Sequence, residues 1–158
     1  MKTKTLLLMV ALVTLIFLGC TKLGNEGTFG PTISQDLVLT NCETAYAYGG
    51  NFASCFQNFG FSNWGWTNGP LDPGEYSFDM MAGAGQCDLN KGTFVGTLTI
   101  EYDGAEVTVT YTMNEGYYLD ETHLYVDCVP IPNHNGRLTV APGQYGNQHE
   151  LGVCRPLH

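Results

Sequence analysis

Positive charge is what this sequence has least of. Six lysines and arginines stand against 15 aspartates and glutamates, a formal net charge of −9 at pH 7. Two of the six, Lys2 and Lys4, fall in the first four residues. Beyond Cys20 only Lys22, Lys91, Arg137 and Arg155 offset all of the acid. Such a surface repels phosphate backbones and anionic headgroups, so nucleic acid is not an expected partner. Acidity also keeps a domain soluble in salty surroundings, which is the plainer explanation of the imbalance. Amphipathic helices are missing as well: nothing after Cys20 carries apolar residues at helical spacing. There is no Gly-x-Ser-x-Gly elbow, no His-Glu-x-x-His helix and no Walker loop, and no internal repeat. Gly83-Ala84-Gly85 is a glycine-rich turn with no helix behind it, which cannot cradle a phosphate. The cysteine spacings fit no zinc motif, and neither a metal nor a cofactor is expected.

What is present begins at the N-terminus. Met1-Lys2-Thr3-Lys4 is positively charged, residues 6–18 are an uncharged apolar run, and Gly19 is a small residue just before Cys20. A positive flank, an apolar stretch and a small-residue exit make a secretory signal peptide over residues 1–19. The run is shorter than the roughly 18 to 20 residues a helix needs to span a bilayer. The junction Phe17-Leu18-Gly19-Cys20 resembles the lipobox of bacterial lipoproteins. That resemblance implies a diacylglycerol on the Cys20 sulfur, cleavage of the leader before it and acylation of the new amine. Two or three acyl chains anchor a protein stably, since each buried CH₂ contributes about 0.8 kcal/mol. Lys22 follows closely, with no Asp just after Cys20; in that family this implies passage beyond the inner membrane. The expected location is therefore the cell envelope of a bacterium, at the outer membrane or cell surface.

Residues 20–34 are rich in Gly, Thr, Asn and Pro without apolar period, and read as a flexible tether. From 35 to 158 the dominant period is two, which predicts one all-β domain built as an antiparallel β-sandwich. The clearest element is a hairpin. Phe94, Gly96, Leu98, Ile100 and Tyr102 alternate with Val95, Thr97, Thr99 and Glu101; after Asp103-Gly104 the phase continues as Val107, Val109, Tyr111 and Met113. Asp-Gly suits a two-residue type I′ turn, which would pair Tyr102 with Ala105, Ile100 with Val107 and Leu98 with Val109. Shorter strands are expected at 37–39, 44–48, 75–81, 122–126 and 136–140, with turns at 114–116, 130–136 and 142–143. An exported chain with six cysteines suggests disulfides. With Cys20 lipidated, Cys42, Cys55, Cys87, Cys128 and Cys154 remain, which allows two bridges at most. Cys55 with Cys87 and Cys128 with Cys154 are the expected pairs.

Glu43-Thr44-Ala45-Tyr46-Ala47-Tyr48-Gly49-Gly50, Trp64-Gly65-Trp66-Thr67-Asn68-Gly69-Pro70 and Gly83-Ala84-Gly85-Gln86-Cys87-Asp88 carry a further likeness: residues 43–148 resemble a domain of uncharacterised bacterial cell-surface proteins. It continues in Glu121-Thr122-His123-Leu124-Tyr125-Val126 and Ala141-Pro142-Gly143-Gln144-Tyr145. The resemblance implies location and sheet class, and no activity.

Three groups of residues are candidates for chemistry. Tyr46, Tyr48, Phe52, Phe56, Phe59, Phe61, Trp64 and Trp66 crowd into one short stretch. With Asn63, Asn68 and Asp72 nearby, the loop around Trp64-Gly65-Trp66 could offer rings for sugars to stack on and amides to orient them. The same rings could instead fill the core of a domain poor in Leu and Ile, which is the commoner fate of aromatic side chains. Asp88-Leu89-Asn90-Lys91-Gly92 has the look of a calcium loop, but the twelfth position from Asp88 is Thr99, which lacks the bidentate carboxylate. Asp88, Asp120 and Glu121 could hold calcium in another way, although a solvated acidic turn is the simpler reading. Glu121 and His123 share strand parity, but no nucleophile or metal is expected beside them, and His134 and His149 come from later loops. Together these features predict a lipid-anchored surface domain, not an enzyme, that binds or adheres to an extracellular glycan or protein. A structural envelope lipoprotein without a ligand is the alternative, and a small hydrolase a more distant one.

Overall fold

A computed structural model describes residues 9–19 and 42–150 of the chain, with backbone only at 9–19 and 150. Cys20, the tether, the strand expected at 37–39 and Cys154 lie outside the described residues. The fold is all-β, with short 3₁₀ turns between the strands. The strands are β1 (Met9–Gly19), β2 (Cys42–Tyr48), β3 (Ala53–Cys55), β4 (Trp66–Asn68), β5 (Gly74–Ala82) and β6 (Thr93–Tyr102). They continue as β7 (Val107–Met113), β8 (Tyr117–Asp127), β9 (Asn133–His134), β10 (Arg137–Leu138) and β11 (Asn147–Glu150). Seven of them form one antiparallel sheet in the order β11-β8-β1-β2-β5-β6-β7, while β3-β4 and β9-β10 are two-stranded ribbons.

That order dictates the shape. β7 and β8 stand five places apart in the sheet, about 24 Å if it were flat at about 4.8 Å per strand. Yet only residues 114–116 join them, a link that reaches about 14 Å at full stretch. The sheet must therefore curl into a half-barrel, as it does. One apolar cluster fills the concave side, from Ala45 and Ala47 through Phe78, Met80, Leu98 and Ile100, with Tyr111 and Met113 of β7 and Leu119, Leu124 and Val126 of β8 packed against it. The convex side of β5, β6 and β7 is polar, with Ser77, Asp79, Thr97, Thr99, Thr108, Thr110 and Thr112 on it. Where the sequence suggests two packed sheets, the chain thus builds one sheet that bends back on itself.

A second apolar cluster lies on the opposite face of β2. Tyr46, Phe56, Trp66, Ala84, Ile131, Val140 and Tyr145 form it, beneath the β3-β4 ribbon and the segment after β8. Ala45, Tyr46 and Ala47 are consequently buried in succession, which happens only in a strand covered on both faces.

The β6-β7 hairpin exists, but its register corrects the expected one. Tyr102 pairs with Val107, Ile100 with Val109 and Leu98 with Tyr111, so the loop has four residues, 103–106. The Asp103 carboxylate explains this: it accepts from the Ala105 and Glu106 amides, both at 2.8 Å, and Asp103 N–H donates to Glu106 O. Those side-chain bonds close a wider turn than a type I′ dipeptide would. A two-residue slip preserves parity, so every face assignment in β7 survives. At the start of β6 parity does change. Met80 pairs with Gly96 and Met81 with Phe94, leaving Val95 as the extra residue of a β-bulge. Val95 turns inward and Phe94 is 44% exposed, the reverse of simple alternation.

Tyr111 ties the curl together, because its hydroxyl is hydrogen-bonded to Thr122 of β8. Burial pushes its pKa up to about 12, against a partial lowering by that hydrogen bond. The folded tyrosine then keeps its proton where the unfolded one, near 10, has lost it. Folding stability is thus full below pH 10 and declines as pH rises toward 12. Urea denaturation across that interval is expected to show this decline, and Tyr111→Phe to weaken it. Tyr125, raised to about 12 by burial first and then by Asp127, leaves a residual dependence in the variant.

Candidate functional site

The aromatic-rich segment 46–66 is held by the second cluster. Tyr46 sits edge-on to Phe56 at 5.3 Å and to Trp64 at 5.1 Å, Trp64 to Trp66 at 5.9 Å, and Tyr48 to Trp66 at 5.2 Å. Edge-to-face pairs at these distances add about 0.5–1.5 kcal/mol each beyond burial. Gly65 makes the arrangement possible: its φ is +135°, and a Cβ there would stand 2.4 Å from the Phe56 ring. Trp66 is only 3% exposed, so its faces are taken up by neighbours, while Trp64 is half-buried.

Asn68 is 2% exposed and works as a backbone clamp. Its Oδ1 accepts from Gly49 N–H at 2.8 Å and its Nδ2 donates to Ala47 O at 3.0 Å, holding the end of β2 against β4. Of the four residues expected to form a sugar platform, Trp66 and Asn68 are therefore inside and offer no ligand a free face. Asn63 is exposed, and Phe52 and Phe59, at 39% and 38%, are the open rings of this region.

Cys55 and Cys87 form a disulfide, with Cα atoms 6.1 Å apart. It links β3 to the 3₁₀ turn Gly85–Cys87, in which Gln86 and Cys87 both have positive φ. Cys42 and Cys128 are exposed and unpaired among the described residues.

Asp88 is occupied with its own turn. Its Oδ1 accepts from the Asn90 amide and from Asn90 Nδ2, each at 3.0 Å, and Lys91 Nζ lies 3.8 Å from its Oδ2. Asp120 and Glu121 are on β8, and no group of three metal-binding side chains occurs among the described residues. Glu121 and His123 do share a face: Nε2 is 2.9 Å from Glu121 Oε1. His123 is 3% exposed, lies 6.4 Å from the Tyr145 ring, and its Nδ1 has no hydrogen-bond partner among the described residues. The carboxylate orients an imidazole that is packed under the second layer.

One feature escapes the sequence patterns. A shallow depression at the β6-β7 turn is lined by Glu75, Glu101, Asp103 and Glu106, with Gly74, Tyr102 and Thr108. Alternation puts Glu75 and Glu101 on a polar face, but only the register, which pairs them directly, brings these carboxylates together. Amide donation from Glu106 and then Ala105 holds the Asp103 carboxyl below its usual 3.8.

No protein-family model, curated protein or solved structure matches the chain. No helix among the described residues is long and apolar enough to cross a membrane, a statement that leaves strands aside.

Burial sorts the candidates by what truncation should do. Trp66→Ala is expected to cost about 3–5 kcal/mol in urea denaturation. Asn68→Ala should cost about 1–3 kcal/mol for each backbone group it leaves unpaired. Asn63→Ala should stay within about 0.5 kcal/mol of the parent. Replacing Cys55 and Cys87 together by Ser should lower stability by about 2–5 kcal/mol.

Proposed function

We propose that the chain is a lipid-anchored binding or adhesion domain displayed from a bacterial cell envelope. Cys20 carries the lipid, residues 1–19 are removed, and residues 20–34 hold the domain away from the membrane. The observation that carries this reading is a conjunction. A leader with a positive start and an uncharged apolar run up to Gly19, just before Cys20, precedes a domain with a Cys55–Cys87 bridge, and such bridges persist in oxidising compartments. In this reading the half-barrel and the ribbons over its convex face act as the two layers of a sandwich. With Trp66 and Asn68 buried, little remains of a sugar-stacking platform. A protein is accordingly the better-supported partner than a glycan. The acidic balance beyond Cys20 argues against nucleic acid.

Intact mass of the membrane-extracted protein tests the anchor. The expected species lacks residues 1–19, carries acyl chains on Cys20 and is oxidised at Cys55 and Cys87. Cys20→Ser should abolish acylation and release the domain from the membrane fraction on leader removal. Recovery of a full-length, unmodified and freely soluble chain from the cytoplasm would sink the proposal.

A further inference from the structure

β1 occupies the middle of the sheet, laddered on both sides. Thr14 pairs with Tyr46 and Leu18 with Cys42 along β2; Met9 pairs with Asp127 and Gly19 with Tyr117 along β8. The same residues are the leader that the proposed function removes. Cleavage before Cys20 would strip the facing edges of β2 and β8 of their partner, at the centre of the sheet and not at its rim. Backbone groups left unpaired there cannot remain buried without cost.

We infer that the processed domain is a strand acceptor. The slot between β2 and β8 takes up an extended segment of a partner protein, adding main-chain ladders on both sides. This rests on the proposed processing and deepens it by naming the partner class. The walls specify what enters. On β2 Ala45 and Ala47 join one apolar cluster and Tyr46 the other, and on β8 Leu124 and Val126 join the first and Tyr125 the second, so both faces of the slot lie beside packed layers. A guest strand must then be apolar at alternate and intervening positions alike. Met-Val-Ala-Leu-Val-Thr-Leu-Ile-Phe-Leu-Gly, 11 residues without a charge, has that composition. Every other described strand already has a place in a sheet, so none of the described strands is spare to fill the gap. The ends of the slot add a preference. Asp127 lies opposite the start of β1 and Glu43 near its end, both exposed, so basic residues flanking the guest suit it.

The test uses processed protein extracted from membranes, weighed intact and then followed by hydrogen exchange at the slot-facing amides of β2 and β8. The probe is a synthetic peptide of residues 9–19 flanked by lysines. Without peptide, those amides should exchange freely; with it, they should slow saturably by roughly tenfold or more. A peptide carrying Leu15→Pro, which removes a ladder donor and bends the strand, should not slow them. A mass that retains residues 1–19 overturns the processing and the acceptor together. A processed mass with amides already protected, or with no slowing by peptide, overturns the acceptor alone. Equal slowing by the proline peptide does the same.

Discussion

The short link between β7 and β8 is the constraint from which the rest of the structure follows. Three residues cannot connect strands that a flat sheet would hold about 24 Å apart, so the sheet bends. Bending gives it an inside, and the inside collects the apolar parity of β2, β5, β6, β7 and part of β8 into one cluster. The convex parity of β5 to β7 is left to water, which is why threonine, serine and acid alternate with core residues there. The Tyr111–Thr122 hydrogen bond satisfies polar groups where the two ends of the curl meet. Gly96 fits the same logic: a Cβ there would stand 2.4 Å from Thr112 O and 2.6 Å from Met80 Cε. The concave packing is too close for any side chain at that point.

The second layer explains a composition that otherwise suggests a binding surface. A domain with few Leu and Ile covers the convex face of β2 with large rings. The T-shaped contacts among Tyr46, Phe56, Trp64 and Trp66 give that cover a fixed geometry. Around them Gly65 permits close approach, Asn68 satisfies the end of β2, and the Cys55–Cys87 bridge ties two loops together. Aromatic density here reflects how a small layer reaches sufficient buried area, which leaves exposed chemistry to Asn63, Phe52 and Phe59.

Local patterns made some of this legible and withheld the rest for definable reasons. Alternation identified β6 and β7 and their faces, because side-chain period is an intrinsic property of a strand. Register was not legible, since Asp103 could close either a two-residue or a four-residue loop and its side-chain hydrogen bonds chose the wider one. The bulge at Val95 was equally hidden: one extra residue is invisible in a sequence until its partner strand is aligned. Cys55–Cys87 could be named from the cysteines, but the curl could not. Curl depends on strand order, and β8 reaches past its neighbour in sequence to the far side of the sheet. Asn68 belongs with these hidden features. A polar residue beside two tryptophans has the same appearance whether it orients a sugar or clamps a strand, and only its burial separates the two.

The position of β1 brings the fold and the proposed export into competition for one segment. A stretch able to enter a membrane during secretion must be uncharged and predominantly apolar. A strand between two packed layers must meet the same requirement, because neither face reaches water. Residues 9–19 satisfy both, and for that reason the sheet places them between β2 and β8. Under the proposed processing the chain cannot use them twice. Among the described strands β1 alone links the β8-β11 pair to β2 by backbone ladders; without it the 114–116 turn and the packing of the two apolar clusters remain. In the strand-acceptor reading, such a domain is completed when a segment of the same chemistry returns to the gap. Under the proposed processing, lipid anchoring has a structural corollary: the cut before Cys20 would also open the slot between β2 and β8 that the proposed partner strand enters.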